Sequence, residues 1–380
     1  MVDVAVVGAG VIGLACAREL AGAGVSVTVL EGAEAIGHGS SARANGGVRA
    51  QFSTAPNIAF SRFSIDAFES LHAETGLLGL HQTGYLLVTA TEAGERALRS
   101  ARDLQRSLGV DTRWLEPPAI VEHASFLRAE GLRAGTFHAR DGFLDPAGVV
   151  AALARHATAS GASIVTGATV RGLARTRTGF RIDHTSGSMA ADLVVNAAGA
   201  DARAVAALVG ADLPVEPVRR NLAHVLDPGG TNGLTPMVVD LDTGVIVRRE
   251  PAGGWIVGYA DPRDDPGRET HLDPRFFEAL AERLPNRFPF LVDLPIDPGR
   301  CWAGLYPETP DHHAIVGQDP SAPGLFHCAG FGGHGVMHAP AAGRAIRELI
   351  LDGTCTTFDL RPLRPQRFAE DDLVVETAVF

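Results

Sequence analysis

Residues 2–31, VDVAVVGAGVIGLACARELAGAGVSVTVLE, decide the fold. An apolar, β-branched run from Val2 to Val7 enters Gly8-Ala9-Gly10-Val11-Ile12-Gly13. A helical segment follows to about Ala23, and a second β-branched run, Val25 to Leu30, ends at Glu31. This is a βαβ unit: Gly8 permits the tight turn from strand to helix, Gly10 lets a pyrophosphate approach the backbone, and Gly13 lets helix and strand pack closely. The phosphates then meet the positive end of the helix. Glu31 stands where a carboxylate accepts hydrogen bonds from both ribose hydroxyls of an adenosine, and its charge disfavours the 2′-phosphate of NADP. The motif alone leaves FAD and NAD open, and the bland reading of the glycines is a turn in some other α/β protein.

The chain has 380 residues, 46% of them hydrophobic, enough for a large core and two domains. Its net charge of −11 argues against a nucleic-acid or anionic-membrane partner, and a solvated acidic surface accounts for it. Cys16, Cys301, Cys328 and Cys355 lie far apart without metal-ligand spacing and read as reduced thiols. No charged leader or membrane-length apolar run is visible, so a cytoplasmic protein is expected.

Residues 32–53, rich in Gly, Ser and Asn, suit a backbone cradle for a phosphate or a flavin edge, or else an ordinary surface loop. Periodicity predicts helices over Asn57–Leu71, 92–108, 119–127 after a break at Pro117-Pro118, Ala147–Ser160 and 274–284. A last helix is expected to begin near Pro340 and run to Leu351. Strands are expected at Gly84–Ala90, Ala162–Val165, Val170–Arg175 with a hairpin partner at Gly179–Ile182, and Leu193–Ala200. Gly135–Pro146 reads as a turn back towards the next helix, and Leu325–Ala329 as a strand. Residues 213–299, with β runs at 222–226, 236–240, 244–250 and 254–260, look like a separate antiparallel layer.

The opening unit, the loop GSSARANGGVR at 39–49, VVNAAGA at 194–200, WAGLYPETPD at 302–311 and GFGGHG at 330–335 together resemble the D-amino-acid oxidase/sarcosine oxidase family of FAD-dependent amine oxidoreductases. The wording is similar to the β subunits of heteromeric sarcosine oxidase and dye-linked proline dehydrogenase. The resemblance implies an α/β fold in which an FAD-binding Rossmann-like domain of the glutathione-reductase type (1–50, 141–212, 300–360) is interleaved with an antiparallel-sheet substrate domain (51–140, 213–299), with 361–380 as a C-terminal tail. It assigns the ADP half of FAD to Gly8, Gly10, Ile12, Gly13 and Glu31, and the pyrophosphate and ribityl chain to Ser40, Ser41 and Arg43. Asn45, Gly46 and Gly47 would pass the isoalloxazine, Val170 the adenine, and Ala198-Gly199 the cofactor channel. Gly304, Gly333, His334, Gly335, Val336 and Met337 would border the flavin ring, where a helix N-terminus stabilises the negative charge of the reduced flavin.

Three departures from the family pattern bear on chemistry. Gly304 replaces the cysteine that tethers flavin in some members, so noncovalent FAD is expected, with His38 an alternative anchor. Met337 and Tyr306 stand where relatives carry a carboxylate-binding lysine or arginine. Ile256 replaces the lysine that promotes reaction with oxygen.

The expected reaction is hydride removal from the carbon beside an amine nitrogen of a secondary or N-methylated amine or amino acid, onto flavin N5, giving an imine. A non-oxygen acceptor, as a protein or partner subunit, is expected. Arg49 is read as the partner of a substrate carboxylate, with Gln51 beside it, or as a bridge to the protein's own acids. His334 is read as a proton acceptor or as a capping residue supporting the flavin, and Tyr259 and Tyr306 as hydrogen-bonding walls. No metal is expected, Asp311 and His312-His313 lying in a turn. Oxidation of a 2-hydroxy acid or biosynthetic intermediate, and a flavin subunit of a hetero-oligomeric dehydrogenase, are the alternatives.

Overall fold

The structure is a computed structural model that describes residues 2–228, 233–261 and 264–378. Met1, 229–232, 262–263 and 379–380, which fall inside the sequence-based segments above, lie outside the described residues. The helices in chain order are α1 (Val11–Gly22), α2 (Ala55–Thr75), α3 (Glu92–Ser107), α4 (Pro117–His123), α5 (Pro146–Ala159), α6 (Ala202–Ala207), α7 (Pro274–Arg287) and α8 (Gly335–Leu351).

A six-stranded sheet runs in the order Ile315–Gln318, Leu325–Ala329, Leu193–Asn196, Asp3–Val7, Ser26–Leu30, Ser163–Val165. It is parallel except for its first strand. Val7 pairs with Leu30 on one side and Asn196 on the other, so these strand ends open together at the carboxyl edge, where a doubly wound sheet binds its ligand. The small, apolar α1 is buried along most of its length and packs with α2, α5 and α8 into the largest core cluster. Gly8 takes φ +104°, and a Cβ there would lie 2.5 Å from the Ala197 carbonyl oxygen; a Cβ at Gly13 would lie 1.9 Å from the Gly8 carbonyl oxygen. Both close approaches require glycine.

An eight-stranded sheet faces the first, in the order Trp302–Glu308, Glu216–Val225, Trp255–Tyr259, Val245–Arg249, Met237–Asp240, Tyr85–Thr89, Ala134–His138, Arg113–Leu115. It is antiparallel apart from one parallel join, Met237–Asp240 with Tyr85–Thr89. A three-stranded antiparallel sheet (Val170–Arg175, Phe180–His184, Gly187–Ala191) and the short pair Gly47–Val48 with Gly142–Phe143 complete the strands among the described residues.

Several expectations need correction. Pro117-Pro118 opens α4 rather than breaking the chain, because the missing N–H groups fall in the first turn where none is needed. Residues 134–138 are an interior strand of the larger sheet, not a turn. The last helix begins at Gly335, with Pro340 inside it. A proline there disturbs the i→i−4 ladder, and the next N–H, that of Ala341, is turned to Ser64 Oγ of α2 at 3.3 Å. Residues 361–378 fold back onto the body: Arg367 and Asp311 are both fully buried and joined by two hydrogen bonds of 2.7 and 2.9 Å.

Candidate active site

A cavity of about 750 Å³ extends from the carboxyl edge of the six-stranded sheet to the face of the eight-stranded one. At one end Gly8, Gly10, Ile12, Glu31, Val170, Ala198 and Gly199 line it. Glu31 Oε2 accepts the Ala9 N–H at 2.7 Å and Oε1 the Ala33 N–H at 2.9 Å, which fixes the carboxylate at the strand end. Ser41 Oγ accepts the Val11 N–H at 3.1 Å. Apart from this contact the first turn of α1 has no side-chain acceptor among the described residues, and α8 likewise begins without a side-chain cap. Both N-termini open on the same cavity, so their uncapped N–H groups and positive partial charge face whatever fills it.

The middle is built by residues 40–47. Ser40 Oγ donates to the Leu305 carbonyl at 2.7 Å, Arg43 Nη1 to Ala303 at 2.9 Å, and Trp302 Nε1 to Arg43 at 2.9 Å. The short turn Ser40–Arg43 is thereby stitched to the strand 302–308. A Cβ at Gly304 would lie 2.9 Å from Arg43 Cβ, so glycine there is dictated by the close cover of Arg43. Asn45 accepts Arg248 Nε at 2.7 Å through Oδ1, and Gly46 and Gly47 line the wall beside Tyr85. His38 stands exposed at the rim.

At the far end Gly333, His334, Gly335, Val336 and Met337 meet the larger sheet. A Cβ on Gly333 would lie 2.8 Å from Tyr306 Cζ, so the Tyr306 ring rests against the turn that begins α8. The His334 ring packs edge-on to Phe52, centroids 4.8 Å apart. Burial, followed by Arg49, pushes the His334 imidazole well below its usual pKa, and it is neutral. Burial pushes the phenols of Tyr85 and Tyr306 up, and both keep their protons. Neither hydroxyl makes a hydrogen bond among the described residues, although both tyrosines line the cavity.

The structure therefore brings most of the expected residues to one cavity, with four adjustments. Gly13 supports the wall from behind, by the close packing described above. Gln51 does not line the cavity: it is buried, with Nε2 donating to the Tyr85 carbonyl at 2.9 Å and to Asp141 at 3.1 Å. Tyr259 borders the cavity, but its hydroxyl accepts Arg283 Nη2 of α7 at 2.8 Å. Strand alternation turns its ring to the helix-covered face, while Gly258 lies on the other. Arg49 is at the wall, but it donates to the carbonyls of Gln51 and Ala378, and its guanidinium carbon lies 3.8 Å from the Phe52 ring centroid.

Residues missed in the sequence are Tyr85, Arg220, Met237, Val239 and Ile246, all from the larger sheet. The signal was period-2 alternation in each strand, which fixes faces only once pairings such as Arg220 with Gly304 are known. Arg248 and Arg249 diverge as their strand requires, to Glu250 at 2.6 Å and Asp227 at 2.8 Å. His312 pairs with Glu308, His313 with Thr54, and Asp311 with Arg367; no metal-holding cluster occurs among the described residues. No described helix is long and apolar enough to cross a membrane.

These residues fit FAD: a fixed carboxylate for a ribose, two uncapped helix N-termini for anionic oxygens, and a polar wall at the far end. The family described as DAO, FAD dependent oxidoreductase, matches residues 3–349. The chain is 28% identical to FAD-dependent oxidoreductase domain-containing protein 1 of Xenopus laevis over 98% of this chain and 84% of that protein. It is 30% identical to glycine oxidase of Geobacillus kaustophilus (strain HTA426), covering 95% of each. The crystal structure of L-proline dehydrogenase from P. horikoshii superposes with a TM-score of 0.91 at 28% identity, over 98% of this chain and 99% of that one.

Proposed function

The chain belongs to the DAO family of FAD-dependent oxidoreductases, and from that premise we propose that it oxidises a secondary or N-methylated amine, with an amino acid the favoured substrate, to the imine. FAD, when bound, supplies the acceptor for the two electrons and the hydrogen that leave the carbon beside the nitrogen. The observation that carries the reading is the convergence of the α8 N-terminus with Tyr85, Tyr306, His334 and two arginines, Arg49 and Arg220, on one end of one cavity.

The residues' own work is positioning and charge control. A protonated amine has no lone pair to push, so the bound substrate must be neutral at nitrogen. Two guanidiniums and a buried wall disfavour an ammonium ion there, lowering the pKa of the bound amine. The His334 imidazole, which burial and then Arg49 keep from taking up a proton, offers a neutral ring nitrogen as a hydrogen-bond partner for the substrate amine. Tyr85 and Tyr306 supply protonated hydroxyls that orient polar substrate atoms, and the apolar side chains Met237, Val239 and Ile246 keep water from the reacting carbon.

An acceptor other than oxygen, a separate protein or a partner subunit, belongs to the same proposal. Ile256, buried at 2% exposure, puts no cation where the resemblance places an oxygen-activating lysine. So does a cytoplasmic setting, supported by Cys16 and Cys328 as unlinked thiols 3.8 Å apart. The test is an anaerobic flavin-bleaching screen with sarcosine, L- and D-proline, glycine, N-methyl amines and lactate. Bleaching by an amine supports the proposal, whereas bleaching by lactate alone overturns it.

A further inference from the structure

We propose that Arg220 is the residue that binds the substrate's carboxylate, with Asp264 as the counter-ion the substrate displaces. The inference rests on the amine-oxidation reading and deepens it, making the substrate an anionic amino acid rather than a simple amine.

Arg49 and Arg220 both line the substrate end of the cavity, and they differ in what their donors already do. Arg49 is committed to two backbone carbonyls and to the face of Phe52. Arg220 makes one hydrogen bond, from Nη1 to the Arg219 carbonyl at 3.0 Å. Among the described residues its Nε is buried without a hydrogen-bond partner, and its Nη2 makes no hydrogen bond. A buried N–H without an acceptor is costly, and the partly exposed side chain, at 18%, is open to an acceptor that enters the cavity. The neighbouring Arg219, which does not line the cavity, is paired with Asp273 at 2.6 Å.

Geometry directs Arg220 to the reacting end. It pairs across the strands with Gly304, and its guanidinium carbon lies 5.6 Å from the centroid of the Tyr306 ring. That ring rests on the turn before α8, so a carboxylate held by Arg220 lies beside the Tyr306 hydroxyl. Among the described residues the acidic group paired with Arg220 is Asp264, whose Oδ2 is 3.6 Å from Nη1, too long for a hydrogen bond. Burial holds the Asp264 carboxyl above its usual pKa despite Arg220 and Arg219, a loose partnership that an incoming carboxylate can replace.

The probe is pyrrole-2-carboxylate, with pyrrole-2-carboxamide as its uncharged twin, titrated into the FAD-loaded protein and read as a shift in flavin absorbance. Wild type is expected to prefer the carboxylate. Arg220→Met weakens carboxylate binding by about tenfold or more and leaves the carboxamide within about twofold, while Arg220→Lys recovers part of the loss. Asp264→Asn, which removes the competing anion, tightens carboxylate binding about threefold or more. Unchanged carboxylate affinity in Arg220→Met, or no preference for the carboxylate in wild type, overturns the assignment. Should Arg220→Met lose its flavin, Asp264→Asn decides, and an affinity equal to wild type overturns it. The readout is binding, so a negative bleaching screen with amines sinks the proposed reaction while leaving this result standing, and the two failures are told apart.

Discussion

Glu31 Oε2 accepts a hydrogen bond from the backbone N–H of Ala9 at 2.7 Å, across the turn that launches α1. With Ala33 on the other oxygen, the carboxylate is set in place by the backbone, and its remaining lone pairs face the cavity.

Glu31→Gln therefore turns one fixed acceptor into a donor facing a backbone N–H, and it removes the charge that draws ribose hydroxyls. FAD affinity of the apoprotein is expected to fall about tenfold or more, measured by quenching of flavin fluorescence on titration. An unchanged dissociation constant would show that the ribose is held elsewhere.

Tyr306→Phe tests the polar wall. The hydroxyl lies in the cavity and makes no hydrogen bond among the described residues, so its removal orphans no partner and leaves stability within about 0.5 kcal/mol of wild type. Anaerobic reduction by the best amine is expected to slow about three- to tenfold, the worth of one hydrogen bond to substrate. FAD content stays at wild type; a variant that reduces at the wild-type rate removes Tyr306 from the site.

His334 and His338 give the folded protein an acid limit. Burial, followed by neighbouring positive charge, pushes both imidazoles well below the ordinary 6.5, so the folded state resists protons that the unfolded chain accepts. Because both folded values are depressed, the stability they contribute is present above pH 6.5 and is lost as pH falls from 6.5 towards those values. His338, which meets Ser61 Oγ at 2.9 Å and does not line the cavity, is the one to change. His338→Gln is expected to flatten the decline in unfolding free energy between about pH 6.5 and 5 by up to one proton, about 1.4 kcal/mol per pH unit. Parallel urea-denaturation curves across that range for the two proteins would contradict this.

What the sequence made legible was local. Gly8, Gly13 and Glu31 act within one βαβ unit, so their spacing carried their geometry, and the glycine turn at 330–335 announced a helix N-terminus in the same way. The start of α8 was misplaced because its first turn has no capping side chain and its proline lies inside. Tyr85 and Arg220 were hidden, and the face taken by the Tyr259 ring was not legible, for another reason: which face a strand residue takes depends on pairing with segments far away, as Arg220 with Gly304 and Tyr259 with Asn221. Arg49 carried the right charge at the cavity wall, but the acceptor of its Nη2, Ala378, lies in a segment that reads as a plain tail.

That segment supplies the last prediction. Arg367 donates to both oxygens of Asp311 and to the His313 carbonyl at 2.9 Å, and neither charged side chain is exposed. Farther along, Glu376 accepts from Thr54 at 2.7 Å and Asn57 at 3.0 Å at the start of α2, next to the Phe52 that lies under Arg49 and edge-on to His334. Arg367→Met leaves Asp311 buried and uncompensated, so it is expected to cost about 3–5 kcal/mol in urea denaturation. Asp311→Leu combined with Arg367→Met removes both charges, and it is expected to recover most of that loss, since a buried ion pair is worth little over an apolar pair of similar volume. Loosening the segment also frees the Ala378 carbonyl from Arg49, so the single variant binds FAD more weakly than the double one. Equal stability for the single and double variants would mean that the packing of 361–378, and not its buried charge pair, holds the segment against the site.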